Sequence, residues 1–348
     1  MHAWPLLWTL LLSLAGTGLL RKLAPSLHLL DDPNHRSMHA EPVPRGGGLV
    51  FVPVAILGFT LAAPELCLAH LPEMAALGVI LGIGFLDDRH EAAPKMKFLV
   101  IALATLILWE AGLLIDQVGY YFGRELRFGW LALPFTFFAL AGFTNAFNLI
   151  DGIDGLAGTL ALLILGGLAW LGWQEGDAYL LTLTLSFMAA VVGFLFFNWH
   201  PASIFMGDSG SLTLGFLIGM LSIHALAYLP SVSVLYLGAI PILDTLVAMI
   251  RRKRAGYSAM EPDRCHFHHL LLLRLKSVPK TVAVLALLQG GFILLGLSWS
   301  REGDQTLPLL LFLLLILGAF RAVQSTIRRL GIECYPKNRQ TSRAGQED

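Results

Sequence analysis

Adjacent carboxylates at the edge of an apolar run are the first feature that asks for a chemical explanation. Gly84-Phe85-Leu86-Asp87-Asp88-Arg89 ends such a run, and Lys95 and Lys97 follow it. Two acids held close to lipid are costly unless they meet a divalent cation or a proton to be removed. The alternative is a solvated helix end. Further along, Asn145, Asn148, Asp151 and Asp154 recur at every third position, with apolar residues in the gaps. On a helix or tight turn this spacing lines amides and carboxylates along one side. Semi-buried groups of this kind need partners: a bound metal or nucleotide, or one another in an interhelical hydrogen-bond ladder.

Three more stretches carry unusual residues. Asp208 sits between Gly207 and Ser209-Gly210, just ahead of an apolar run and after Phe197-Asn198-Trp199-His200-Pro201. Free N–H groups at a helix start favour an anion there, and plain capping by Asp208 or Ser209 explains the same residues. Pro262-Asp263-Arg264-Cys265-His266-Phe267-His268-His269 combines imidazoles with a guanidinium, a set suited to clamping phosphate. Its Cys and His residues match no standard zinc spacing. Arg45-Gly46-Gly47-Gly48 follows Asp31-Asp32-Pro33-Asn34-His35-Arg36, and its glycines could bring backbone close to an anion or serve as a turn.

The elements that must position these groups are transmembrane helices. Of 348 residues, 56% are hydrophobic and 14% charged, too little polar surface for a water-soluble globule. Net charge is zero, which argues against a nucleic-acid binder. Apolar runs fall near 3–20, 47–63, 68–86, 98–115, 128–144, 156–172, 178–197, 211–228, 231–250, 281–298 and 307–325. They predict an all-α polytopic protein of about eleven spans, because backbone groups in lipid must be satisfied within the segment. With the N-terminus outside and the C-terminus inside, every Lys and Arg except Arg124, Arg127 and Arg301 falls on the inner side. That arrangement puts all five chemical clusters on one membrane face. The four charges Arg251 to Arg254 read as a topology signal. No basic residue precedes the first apolar run, and Arg21-Lys22 follow it, the pattern of a first span rather than a cleaved leader. Cys67, Cys265 and Cys334 form no CxxC pair and suggest no disulfide framework. One integral domain is expected over 1–328, with a polar tail at 329–348.

With these residues in view, the chain resembles the polyprenyl-phosphate N-acetylhexosamine-1-phosphate transferases. The matching stretches are PNHRSMHAEPVPRGGGL, GFLDDR, NAFNLIDGIDGLAG, FNWHPASIFMGDSGSLTLGF and PDRCHFHHLLL, in family order from Pro33 to Leu272. Phe267 interrupts the histidines as in the bacterial N-acetylglucosamine-type branch, whereas the phospho-MurNAc-pentapeptide branch shows three in a row. One departure is Ile101, where related enzymes often carry Gln.

The resemblance implies transfer of N-acetylhexosamine-1-phosphate from a UDP-N-acetylhexosamine to undecaprenyl phosphate, with release of UMP, at the cytoplasmic face of a bacterial inner membrane. It implies Mg²⁺, or Mn²⁺ in its place, held by Asp208 and Asn148. It gives Asp87 the acceptor phosphate and Asp88 a supporting place. Asp151 and Asp154 would position the nucleotide. Lys97, Arg264 and His266 would clamp phosphates, with Asn145, Arg45, His268 and His269 also at the substrates. A homodimer is compatible with this picture. The alternatives are the pentapeptide-sugar branch and, in another class, a cation- or proton-coupled transporter.

Overall fold

The structure is a computed structural model that describes residues 4–31, 41–90, 92–259, 263 and 265–334. Helices occupy all the predicted apolar runs. The first is α1 (Trp4–Leu23), followed by α2 (Gly48–Ala62), the short α3 (Pro64–Ala69), α4 (Leu71–His90) and α5 (Pro94–Glu110). Then come α6 (Ala132–Ile150), α7 (Leu156–Glu175), α8 (Ala178–Asn198) and α9 (Gly207–His224). The chain closes with α10 (Ser231–Leu237), α11 (Ala239–Arg254), α12 (Phe267–Leu275), α13 (Val278–Ser298) and α14 (Thr306–Leu330). Local chemistry sets several ends. The Asp177 carboxylate accepts from Leu180 N at 2.9 Å and caps α8. Proline stands in the first turn of α5 and α13, where its missing N–H costs nothing.

The architecture departs from the expectation in four ways. Two small antiparallel ladders accompany the helices. One pairs β1 (Leu30–Asp31) with β2 (Val43–Pro44), and the other pairs β3 (Gln117–Tyr121) with β4 (Arg124–Arg127). The run at 231–250 is not one helix: it breaks at Gly238 and turns by 87° between α10 and α11. Among the described residues seven helices are long and apolar enough to cross a bilayer, or eight if the bent pair is one span. The expected count of about eleven therefore rests on α2, α4 and α5, which are shorter or more polar. Finally, Cys265 and Cys334 form a disulfide, a pairing that their separation of 69 residues concealed. It anchors the segment after α14, where Ile332 and Cys334 pack with Val247 and Val323. The expected tail boundary at 328/329 thus falls inside a helix, and residues 335–348 lie outside the described ones.

The core is organised around α9, the most deeply buried of the long helices, which packs on α2, α4, α6 and α7. Its first turn is approached by two glycines. A Cβ on Gly48 would overlap the Gly210 backbone nitrogen, and one on Gly84 would lie 2.5 Å from Ser209 Cα. Small residues let helix backbones touch where lipid supplies no hydrophobic drive. At the far end of the bundle Asp177 accepts from His224 at 2.7 Å and from the Tyr228 hydroxyl at 3.0 Å, beside the β3–β4 hairpin.

Two alanine substitutions on α4 separate crossing from propensity. Gly84→Ala should cost about 1–3 kcal/mol through overpacking against α9. Gly82→Ala, with open space at its Cβ, should leave stability unchanged or slightly raised. Thermal unfolding of the two variants in detergent checks this, with a lower midpoint expected only for Gly84→Ala.

Candidate active site

The site begins where α4 ends and α9 starts. Asp88 Oδ1 accepts from Asp208 N at 2.7 Å, and Asp88 Oδ2 from Ser209 N at 3.1 Å. One helix thus caps another: the carboxylate satisfies two N–H groups that the first turn of α9 leaves without helical partners. Gly207 has φ +72°, and a Cβ there would sit 2.6 Å from either Asp88 oxygen, so the junction needs glycine. This contact fixes the direction in which the Asp208 side chain leaves the helix.

Around Asp208 the predicted residues gather. Lys97 Nζ donates to Asp208 Oδ2 at 2.5 Å and to Asp87 Oδ2 at 2.6 Å, and bridges the two acids. Asn148 Nδ2 donates to Asp208 Oδ1 at 3.0 Å and to Ser211 Oγ at 2.8 Å. Asp87 Oδ1 also accepts from Ala92 N at 2.6 Å, which ties the acid to the α4–α5 turn. The every-third spacing of amides and acids is only partly helical. α6 stops at Ile150, so Asn148 sits in its last turn while Asp151 and Asp154 belong to the following turn. Asp154 Oδ2 accepts from Ala202 N at 3.0 Å and pairs with His200 Nδ1 at 2.7 Å.

These groups border a cavity of about 540 Å³ at one end of the bundle. Asp88, Asn148, Asp151, Asp154 and Asp208 line its acidic side. Arg45, His200 and His269 supply basic groups. Arg45 lies 3.6 Å from Asp31. Asp87 and Lys97 lie just behind this wall, joined to it through Asp208. Asn145 is on α6 a turn before Asn148 and does not line the cavity. Arg264 lies outside the described residues. Burial pushes the Asp151 carboxyl up to about 7, with the Asp208, Asp88 and Asp154 carboxylates adding to the effect. Burial and the neighbouring acids together disfavour the charged form of Asp151.

The histidine segment is held by residues that sequence reading missed. Asp244 on α11 accepts from Phe267 N at 2.9 Å and contacts His266 Nδ1 at 3.0 Å. Arg251 and Arg252 are buried, not a bare topology signal: each donates to Asp263 Oδ2 at 2.7 Å. Arg251 also donates to the Cys265 carbonyl at 2.9 Å. Burial alone would raise the Asp263 carboxyl, but Arg251, Arg252 and His266 hold it below its ordinary value. His266 is therefore engaged behind the cavity wall. His268 is fully buried against Gly152, and neither ring nitrogen has a hydrogen-bond partner among the described residues. Burial, then the neighbouring His269 and His266, keep it neutral, well below the usual imidazole range. The signal for Asp244 and the arginines was present only as one acid and four cations on one helix.

Among the described residues no three His, Cys, Asp or Glu side chains form a ready metal cage. Magnesium does not require one. It keeps its waters and usually takes one or two carboxylates together with substrate phosphates. Asp208 with Asn148, facing a cavity with a surplus of acids, fits an ion shared with substrate.

Comparison with known proteins places this geometry. The pattern of glycosyl transferase family 4 matches residues 72–226, from the start of α4 to the end of α9. A probable undecaprenyl-phosphate N-acetylglucosaminyl 1-phosphate transferase of Bacillus subtilis (strain 168) is 34% identical, over 92% of this chain and 90% of the relative. The undecaprenyl-phosphate alpha-N-acetylglucosaminyl 1-phosphate transferase of Salmonella typhi is 32% identical over 89% of this chain and 87% of its own length. The Yersinia pestis protein of the same description is 30% identical over 77% and 76%.

Two outcomes follow from the geometry. Asp88→Ala should lower stability by about 2–4 kcal/mol, because it strands two buried N–H groups, while Asp208→Asn should leave the unfolding midpoint near wild type. A carboxyl raised from 3.8 to about 7 in the fold weakens the folded state as pH climbs through that interval. Asp151→Asn should therefore unfold at a higher temperature than wild type, by a margin that is several degrees larger at pH 8 than at pH 5, measured in chelator.

Proposed function

The chain belongs to glycosyl transferase family 4, among the undecaprenyl-phosphate N-acetylglucosaminyl 1-phosphate transferases, and we propose that it moves N-acetylhexosamine-1-phosphate from a UDP-N-acetylhexosamine to undecaprenyl phosphate. In this reaction an acceptor phosphate oxygen bonds to the β-phosphorus of the donor. The bridge to the α-phosphorus breaks, and UMP leaves with the electron pair. The observation that carries the reading is the convergence of Asp88, Asn148, Asp151 and Asp208, from separate stretches of sequence, on one cavity that also presents Arg45 and His269.

Joining two anions makes charge the main obstacle, and phosphoryl transfer is solved mostly by positioning and electrostatics. Mg²⁺ held by Asp208 and Asn148 would supply Lewis-acid neutralisation of the donor diphosphate. Asp87 serves the acceptor-phosphate side from behind the wall, and the Lys97 bridge joins it to Asp208. Asp151 and Asp154 orient the nucleotide. Arg45 and His269 draw phosphate oxygens.

The lipid chain has a place of its own. An apolar groove of about 670 Å³ runs between α11, α12, α13 and α14, lined by Phe267, Leu270, Leu271, Leu285 and Phe292. The helix α12 separates this groove from the cavity, with His269 on one side and Phe267 on the other.

The same reading puts the site at the cytoplasmic face, with the N-terminus outside and about eleven spans. Its support is that Arg21, which donates to Ser203, and the Arg251–Arg252 pair lie at the cavity end, while Arg301 contacts Ala227 at the other. The pentapeptide-sugar alternative gains nothing from the relatives, whose names specify N-acetylglucosaminyl transfer. A transporter calls for ionisable groups near mid-bilayer, whereas the cavity acids gather at one end.

Purified protein with undecaprenyl phosphate and Mg²⁺ should release UMP from UDP-N-acetylglucosamine. Asp208→Asn and Asp87→Asn should each lower the rate by at least about a hundredfold, the scale of losing one electrostatic contact to a transition state. UMP release at wild-type rate from either variant, or none from any UDP-N-acetylhexosamine, counts against the proposal.

A further inference from the structure

A basic concavity lies on a different face of α14 from the apolar groove. Its volume is about 510 Å³. Arg254, from the end of α11, and Arg321, Arg328 and Arg329, from the last turns of α14, surround it together with Gln324 and Ser325. No Asp or Glu is among the described residues that line it. Arg254 lies 4.7 Å from the centroid of the Phe320 ring, so this aromatic forms one wall and holds one guanidinium in place.

Topology explains the presence of these arginines but not their arrangement. A positive-inside signal needs charge near a span end and nothing more. It does not need a hollow, nor a hydroxyl and an amide set between the charges. The apolar side of the same stripe is also informative. Leu310, Leu313 and Leu317 follow at helical spacing up α14 and are 43%, 46% and 53% exposed. The surface thus passes from a lipid-facing leucine row to a polar, cationic hollow within one helix face. That is the sequence of environments along a phospholipid, from acyl chain to phosphate.

We propose that this hollow binds the phosphate headgroup of an anionic glycerophospholipid, whose acyl chains lie along the Leu310–Leu317 row. Each guanidinium near an anionic membrane surface contributes about fivefold in affinity, and the fork geometry of arginine suits phosphate oxygens. The hollow is distinct from the cavity at Asp208 and from the apolar groove on the other face of α14. It adjoins the end of α11, two residues beyond the Arg252 that holds Asp263.

Native mass spectrometry of the full-length protein, titrated with phosphatidylglycerol or phosphatidylcholine of matched chains, tests the assignment. The wild type should retain one phosphatidylglycerol with clear preference over phosphatidylcholine. R321Q/R328Q/R329Q should weaken that binding by about a hundredfold, with the unfolding midpoint and UMP release in neutral vesicles unchanged. Should the triple variant fail to fold, R321Q alone should still lose about fivefold. Equal retention of the two lipids, or full retention by the variants, overturns the proposal. Displacement by inorganic phosphate at millimolar concentration would assign the hollow to a soluble anion instead. Displacement by undecaprenyl phosphate as readily as by phosphatidylglycerol would assign it to the acceptor. Either result also overturns it.

Discussion

The arrangement depends on one contact between helices distant in sequence: the Asp88 carboxylate receiving the backbone N–H groups of Asp208 and Ser209. It joins the end of α4 to the start of α9, at the positions where Gly84 and Gly48 let backbones meet. Because both oxygens of Asp88 are committed to this junction, its neighbour Asp87 is turned the other way, toward Lys97. The Asp-Asp pair therefore divides its labour. Asp88 holds the start of α9, and Asp87 is tied through Lys97 to Asp208 behind the cavity wall.

A consequence is that the acidic surplus is borne by Asp208, Asp151 and Asp87, with Lys97 as the single ammonium bridging two of them. Burial, with neighbouring acids adding to it, raises the affinity of Asp151 for protons. A site built this way gains most from a ligand that brings cations or is itself held through one. A nucleotide diphosphate with magnesium meets that description. The histidine segment contributes His269 to the cavity, and Asp244, Arg251, Arg252 and Asp263 hold the residues around it.

Much of this was legible in the sequence. The apolar runs located all of the long helices, and the acid-bearing stretches at Asp87-Asp88, Asn148-Asp151-Asp154 and Asp208 do meet at one cavity. What escaped reading were features defined by partners far away in the chain. Asp88 reads like Asp87 until α9 is beside it. Arg251 and Arg252 satisfy the topology rule so well that their buried ion pairs with Asp263 were invisible. The bend at Gly238 interrupts a run whose hydrophobicity is continuous. Cys265 and Cys334 had no spacing pattern to betray them. Only the fold shows that His266 Nδ1 meets Asp244 while His269 lines the cavity.

The account stands or falls on whether that cavity opens to the cytoplasm and takes the nucleotide sugar. Ala202 lines it without lending a side chain to the hydrogen-bond network, so a cysteine there reports on access. Ala202→Cys, in a chain with Cys67, Cys265 and Cys334 replaced by serine, can be labelled with a membrane-impermeant maleimide in vesicles of either orientation. Labelling only in inside-out vesicles, slowed by UDP-N-acetylglucosamine with Mg²⁺, is the predicted result. Labelling from the periplasmic side, or a rate indifferent to the nucleotide sugar, would contradict it.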